Sequence, residues 1–358
     1  MYVICFLPEI YFFISLCMLL LFFILYGLSS NLNFPNTCIS NVFLSIVVLC
    51  YTFVLYSCNH VYSIDNNILI KTQSGIILSQ LMIFFTIFIL LITFNYNNKR
   101  NLMCFEYTFF ILVSVGSFFI LISTYNIILI FIILELQTLV ISLLISIDKF
   151  KRYSIESSIK YFLLNTFSSL LLIFGFSIVY GSTGLLCISE IRTILHLLEY
   201  IDNNIVVACI ALSSNFILIG LFFKIYSAPF NLWLSDVYQG TPKSVLVYIS
   251  TVQLLFMLVF VFKIYHYMIY DIFHINTYFT YVLSILTIVF GSVGALYQTD
   301  IKRLISYSTI TVNGLFMFTM LHENMILIET FFTYLLIYIV MVFLLLSFFM
   351  NITVNKKV

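Results

Sequence analysis

Apolar runs of about 20 residues recur along almost the whole sequence, and that pattern leaves a chain few ways to fold. A helix needs roughly 20 apolar residues to cross the hydrocarbon core of a bilayer and closes its own backbone hydrogen bonds, so helix is the spanning form for runs of this kind. Eleven spans are expected, at 3–27, 40–58, 74–94, 104–123, 126–147, 154–180, 204–238, 243–265, 277–297, 301–321 and 325–350. Charge agrees with this reading: 8% of the residues are charged, against about 25% in soluble domains. The expected fold class is therefore an all-α polytopic membrane protein. A net charge of +1 provides no basic field for nucleic acid, which excludes that class of partner.

The eight cysteines lie mostly inside apolar runs, with no C-x-x-C pair and no His at ligand spacing. They are expected to be small buried hydrophobes, not a metal site or a disulfide framework. The first basic residue is Lys71, so no cleavable presequence is expected. Usage is skewed toward Phe (40) and Tyr (25) and away from Gly (11) and Pro (4). Such a skew follows from a gene rich in A and T and points to an organellar, mitochondrial origin.

Lys and Arg in the connections set orientation. One side collects Lys99, Arg100, Lys149, Lys151, Arg152, Lys243, Lys302, Arg303, Lys356 and Lys357, and the other only Lys71, Arg192 and Lys263. The C-terminus is thus expected on the inner side, the matrix in a mitochondrion, and the N-terminus outside. Between spans six and seven, residues 187–201 read as a short amphipathic helix on the outer surface, where His196 is an ordinary surface residue or, less simply, a ligand.

Two ionisable residues fall deep within spans, where a charge is costly enough to mark function. Glu135 lies midway along span five and Lys224 just before Ala228-Pro229 in span seven. That seventh run is about 35 residues, too long for one straight span, and proline removes a backbone bond near its middle. Either the helix breaks there, as ion and substrate paths in membranes favour, or it only kinks. Glu135 and Lys224 together make either a proton switch that titrates as one coupled system or a static ion pair that fixes packing. Glu156 and Lys160 are four apart near the inner end of span six, as an anchoring pair or the mouth of a path.

The run GLFFKIYSAPFNLWLSDVYQGTPKSVLVYIS, from Gly220 to Ser250, joins the buried lysine, the proline break, the single tryptophan and a DVYQG-x-P turn. It closely resembles subunit 2 of respiratory complex I, the NADH:ubiquinone oxidoreductase. LELQTL at 134–139, ESSIKYFLLNTFSSLLLIFGFSIVYGSTG from Glu156, GALYQTDIKRLISYSTI at 294–310 and the opening LPEIYF are similar to the same family. The resemblance implies an antiporter-like helix bundle in the membrane arm that translocates protons, driven by quinone reduction elsewhere in the complex. It implies no cofactor on this chain, with FMN, iron–sulfur clusters and ubiquinone on other subunits. Other membrane-arm subunits and lipids would be its partners. Three N-terminal helices (1–103), a first five-helix repeat (104–265) and an incomplete second repeat (277–358) follow from the same likeness. By motif, Glu135 and Lys224 match the family's acid in span five and lysine in span seven.

Two departures from the family stand out. Its eighth-span lysine would fall on Leu254, after Ser250-Thr251-Val252-Gln253. Lys263 is nine residues further, about 14 Å along a helix and near the outer surface. Three explanations stay open: Gln253 with water forms the middle relay, Lys263 and His266 serve only the exit, or proton movement is weakened or lost. The family also has three further spans, including one with a lysine, and a separate polypeptide is expected to supply them. A scaffold that no longer pumps and a free-standing cation/proton antiporter are the rival functions.

Overall fold

The computed structural model describes residues 6–28, 34–57, 62–64, 69–100, 102, 104–198, 204–265, 277–320 and 325–355. A helix stands at each of the eleven apolar runs. In chain order these are α1 (Leu7–Leu28), α2 (Phe34–Ser57), α3 (Gln73–Arg100), α4 (Cys104–Ser123), α5 (Ile127–Ile145) and α6 (Arg152–Thr183). A short helix, α7 (Ile188–Leu198), follows, and then the two halves of the seventh run, α8 (Asn204–Lys224) and α9 (Leu232–Gly240). The bundle ends with α10 (Lys243–Ile264), α11 (Thr277–Leu296), α12 (Ile301–Met320) and α13 (Met325–Asn355). Seven of the described helices are long and apolar enough to cross a membrane by length and composition.

Local chemistry sets several ends. Asn126 caps α5 by accepting the Ile128 amide at 2.9 Å, as an N-cap side chain does. Gly184 ends α6 in the left-handed region, φ 71°, where its amide reaches Tyr180 O at 2.8 Å. A hairpin that the hydrophobic pattern does not announce, β1 (Tyr62–Ile64) with β2 (Leu69–Lys71), pairs antiparallel with Ser63 opposite Ile70. Leu69 bridges to Thr124 and Asn126 to Cys187, so the hairpin, the α4–α5 turn and the start of α7 form a layer at one end of the bundle. The opposite end gathers Arg100, Lys151, Lys243 and Lys302.

Packing puts α10 at the centre. It is 94% buried, whereas α6 and α13 show apolar faces such as Leu163, Phe167, Ile337 and Leu344 to the outside, as lipid-facing helices do. Close approach of α6 and α8 depends on small residues. A Cβ added at Gly175 would lie 3.0 Å from Ser213 O, and one at Gly220 would lie 3.0 Å from Ser168 O. Three of the cysteines expected to be buried, Cys17, Cys50 and Cys209, are instead exposed on the outer face, because a soft apolar thiol is at ease against lipid; Cys187 is buried.

The seventh run is broken, not merely kinked. Helix α8 stops at Lys224, residues 225–231 cross as irregular chain with a cis Ala228-Pro229 bond, and α9 resumes at Leu232. The eighth run also departs from a plain helix, because residues Ile249–Gln253 form a π-helical turn in the middle of α10.

Candidate proton-transfer site

A broken helix in hydrocarbon must satisfy the backbone groups it frees. Ser227 does part of this: its hydroxyl and its amide both reach Phe222 O at 3.0 Å. Asn313 on α12 donates its side-chain amide to Ile225 O at 2.5 Å from a fully buried position. Tyr226 turns the chain with a positive φ of 58°, an uncommon conformation for a residue with a large side chain. Its ring meets Trp233 edge to face at 5.1 Å, and Trp233 meets Tyr161 of α6 at 5.9 Å.

Lys224 is at the lip of this break with 0% exposure. Its ammonium has no hydrogen-bond partner among the described residues, and neither does the buried Oε1 of Glu135. Glu135 lies within electrostatic reach of Lys224, yet no ion pair within 4.0 Å joins them. The two expected partners therefore share one electrostatic site without contact. The indole nitrogen of Trp233 and Gln253 Nε2 are likewise buried without partners among the described residues, and the buried phenols of Tyr161 and Tyr226 have only each other. Buried polar groups are nearly always hydrogen-bonded, so this concentration marks a zone suited to bound water.

Gln253 belongs to a second polar string. Its Oε1 accepts from Gln137 Nε2 on α5, and Gln137 Oε1 accepts from Ser117 Oγ on α4 at 2.5 Å. Ser114, one turn away on α4, is hydrogen-bonded to Tyr248 OH. Gln137 carries this link, although the sequence reading gave it no role; its place two residues after Glu135 is the signal, since that turns it about 200° around the helix. Leu254, at the expected lysine position, is 2% exposed and packs in the core.

Lys263, placed near the outer surface and one candidate for the exit, is not exposed. It is buried, donates to Leu121 O and Ile122 O at 2.9 Å each and to Thr124 O, and sits 4.0 Å from the centre of the Tyr125 ring. The carbonyls at the end of α4 explain this, because a cation satisfies and complements a helix C-terminus. With its three protons on carbonyls it is a cap. His266 lies outside the described residues, and so does the side chain of His196.

Glu156 and Lys160 pair at 2.8 Å as their spacing implies, with both side chains well exposed. Around them the structure adds residues that the charge pattern alone did not single out. Asp236 of the DVYQG turn reaches Lys160 at 3.5 Å and Arg303 at 3.4 Å, and Gln239 joins Arg303 and Asp300, each at 2.9 Å. Gly240 is required here, since a Cβ would stand 2.4 Å from Tyr153 O. At the hairpin end, Glu9 is buried against Lys71 at 2.7 Å and accepts from Tyr56 OH at 2.7 Å. That buried ion pair ties α1, α2 and the hairpin together, a part not expected of Lys71 as a connecting residue.

A helical bundle with a broken membrane helix, a buried lysine at the break and an acid within its electrostatic reach has the architecture of the antiporter-like membrane proteins. The chain belongs to the family described as NADH:quinone oxidoreductase/Mrp antiporter, transmembrane, which matches residues 124–358. It is 28% identical over 310 residues to NADH-ubiquinone oxidoreductase chain 2 of Marchantia polymorpha, covering 85% of this chain and 62% of the relative. It is 33% identical over 266 residues to NADH-quinone oxidoreductase subunit N of Ruthia magnifica subsp. Calyptogena magnifica, covering 74% of this chain and 54% of the relative. The chain thus spans somewhat over half the length of these curated relatives. Its fold is similar to a chain of respiratory complex I from Thermus thermophilus with bound aureothin, with a TM-score of 0.74 at 20% identity, over 95% of this chain and 69% of that one.

Proposed function

We propose that this chain is a proton-translocating membrane-arm subunit of a mitochondrial NADH:ubiquinone oxidoreductase, coupling quinone reduction elsewhere in the complex to proton transfer. The observation that carries the proposal is Lys224, a fully buried ammonium without a hydrogen-bond partner at a helix break. Such a group gives up a proton when its negative neighbour moves away and retakes it when the neighbour returns. Glu135, within electrostatic reach but not in contact, is the charge whose movement loads or empties the lysine. The Tyr161–Tyr226 phenol pair and the free indole nitrogen of Trp233 would hold the water that carries the proton onward. The Gln253–Gln137–Ser117 string is the middle relay, in the place where the family pattern has lysine.

The relatives support this placement. Their names are those of oxidoreductase subunits, and the Marchantia relative is named for ubiquinone. The end that carries Arg100, Lys151, Lys243 and Lys302 would face the matrix, and the hairpin end the intermembrane space. FMN, iron–sulfur clusters and ubiquinone belong to other subunits in this reading. One observation favours a second reading, a membrane-arm scaffold that no longer pumps: Leu254 is a buried apolar residue at the expected lysine position.

The test is NADH-driven proton uptake and release in vesicles that contain the assembled complex. Lys224→Ala or Glu135→Gln should lower the protons moved per electron while the complex still assembles and oxidises NADH. Unchanged stoichiometry in both variants would decide for the scaffold.

A further inference from the structure

At the end of the bundle opposite the hairpin lies a cavity of about 620 Å³, where α3, α6, α9, α10 and α12 meet. Six cations and three carboxylates line it. The carboxylates are already committed: Asp148 is bonded to Lys151, Glu156 to Lys160, and Asp236 to Lys160 and Arg303. Arg100, Lys243 and Lys302 are left with no carboxylate within 4.0 Å among the described residues. Lys302 donates to Gln239 O at 2.9 Å and to Thr241 O, and Lys243 has only Phe349 O at 3.4 Å, so neutral carbonyls are what they hold. Lys243 is close enough to both Arg100 and Lys302 for their like charges to oppose it.

Two helix N-termini add to this excess. Helices α6 and α10 both start at the cavity wall, and neither N-cap residue, Lys151 or Pro242, makes a side-chain capping bond. The positive end of each helix favours an anion there. From this convergence we infer that the cavity binds a phosphate-bearing anion, clamped by Arg100 and Lys243 with Lys302 behind them. An arginine fork matches phosphate oxygens two at a time, and lysine adds a point charge.

The position selects a phospholipid headgroup as the first source to test. Helix ends mark the water–lipid boundary, and Phe150 (98% exposed) and Tyr153 (77%) stand at this end as aromatic residues do at headgroup depth. Basic pockets between membrane helices hold such headgroups. This site does not depend on the proton-transfer reading, because neither Lys224 nor Glu135 lines it.

The experiment is native mass spectrometry of the full chain, purified in mild detergent and titrated with dioleoyl phosphatidylglycerol, dioleoyl phosphatidylcholine or inorganic phosphate. One phosphatidylglycerol should be retained per chain, about tenfold more tightly than phosphatidylcholine, and Arg100→Gln/Lys243→Gln should lose that preference. Arg100→Lys/Lys243→Arg should keep it, which separates lost charge from lost fold. Competition by millimolar inorganic phosphate, with no preference between the lipids, would assign the same site to free phosphate. Equal retention of phosphatidylglycerol by the parent and the charge-free variant, with no binding of inorganic phosphate to either, would overturn the inference.

Discussion

Replacing Lys224 with methionine should make the protein harder to unfold while ending proton transfer at this site. The side chain has 0% exposure and its ammonium has no partner, so the folded state carries the desolvation of a cation that nothing nearby contacts. The effective penalty for an ion so placed is several kcal/mol. Glu135 returns part of it, but beyond 4 Å and at an effective dielectric constant near 20 that return is below about 4 kcal/mol. Methionine has a similar shape and no charge, and because Glu135 is only half-buried and not in contact, the expected net gain is about 1 kcal/mol. Trp233, the only tryptophan, is packed against Tyr226 at the break, so its fluorescence during heating reports the midpoint at the relevant place. Glu135→Gln alone should lower the midpoint, because it removes the negative charge nearest the lysine, and the double variant should return close to Lys224→Met. A Lys224→Met protein that melts below the parent would refute the reasoning, since it would mean the ammonium is well paired in the folded state.

Three other outcomes follow from the packing. Gln253→Leu should cost about 1–3 kcal/mol by leaving Gln137 Nε2 unpaired, and Gln137→Leu/Gln253→Leu should recover most of that loss in the same melting assay. Lys71→Met should destabilise by about 3–5 kcal/mol, because it strands the buried Glu9 carboxylate, yet leave protons moved per assembled complex unchanged. Gly240→Ala should cost about 1–3 kcal/mol through the clash with Tyr153 O and Ser157, read as lower yield of assembled protein and a lower midpoint.

The helices were legible because apolar length is a direct physical requirement of the bilayer. The break was legible as well, since an overlong run with an internal proline admits few other forms. Glu135 and Lys224 stood out for their rarity at that depth. What the sequence hid is what depends on contact across the bundle. Gln137 is polar but uncharged, so nothing in its type separates it from a lipid-interface glutamine until Ser117 and Gln253 are found on either side of it. Lys263 looked like a surface cation because its position near a helix end was visible and the carbonyls of α4, some 140 residues away in the chain, were not. Asp236 and Arg303 sit near helix ends, where charge is ordinary, and only their meeting at 3.4 Å gives them meaning.

The π-helical turn in α10 has a mechanical consequence. At its hairpin end the helix is clamped by Lys263 to the end of α4, and at its opposite end Ser244 O accepts from Tyr107 OH while Lys243 reaches Phe349 O. Between those clamps, Ile249–Gln253 is the one stretch of α10 without α-helical bonding. Any twist of one half of the rod against the other must pass through it, and Gln253 is its last residue. Rewinding the turn into α-helix would shift the register by one residue, about 100° around the axis. Gln253 would then face away from Gln137, and the polar string across the bundle would open like a rotary contact.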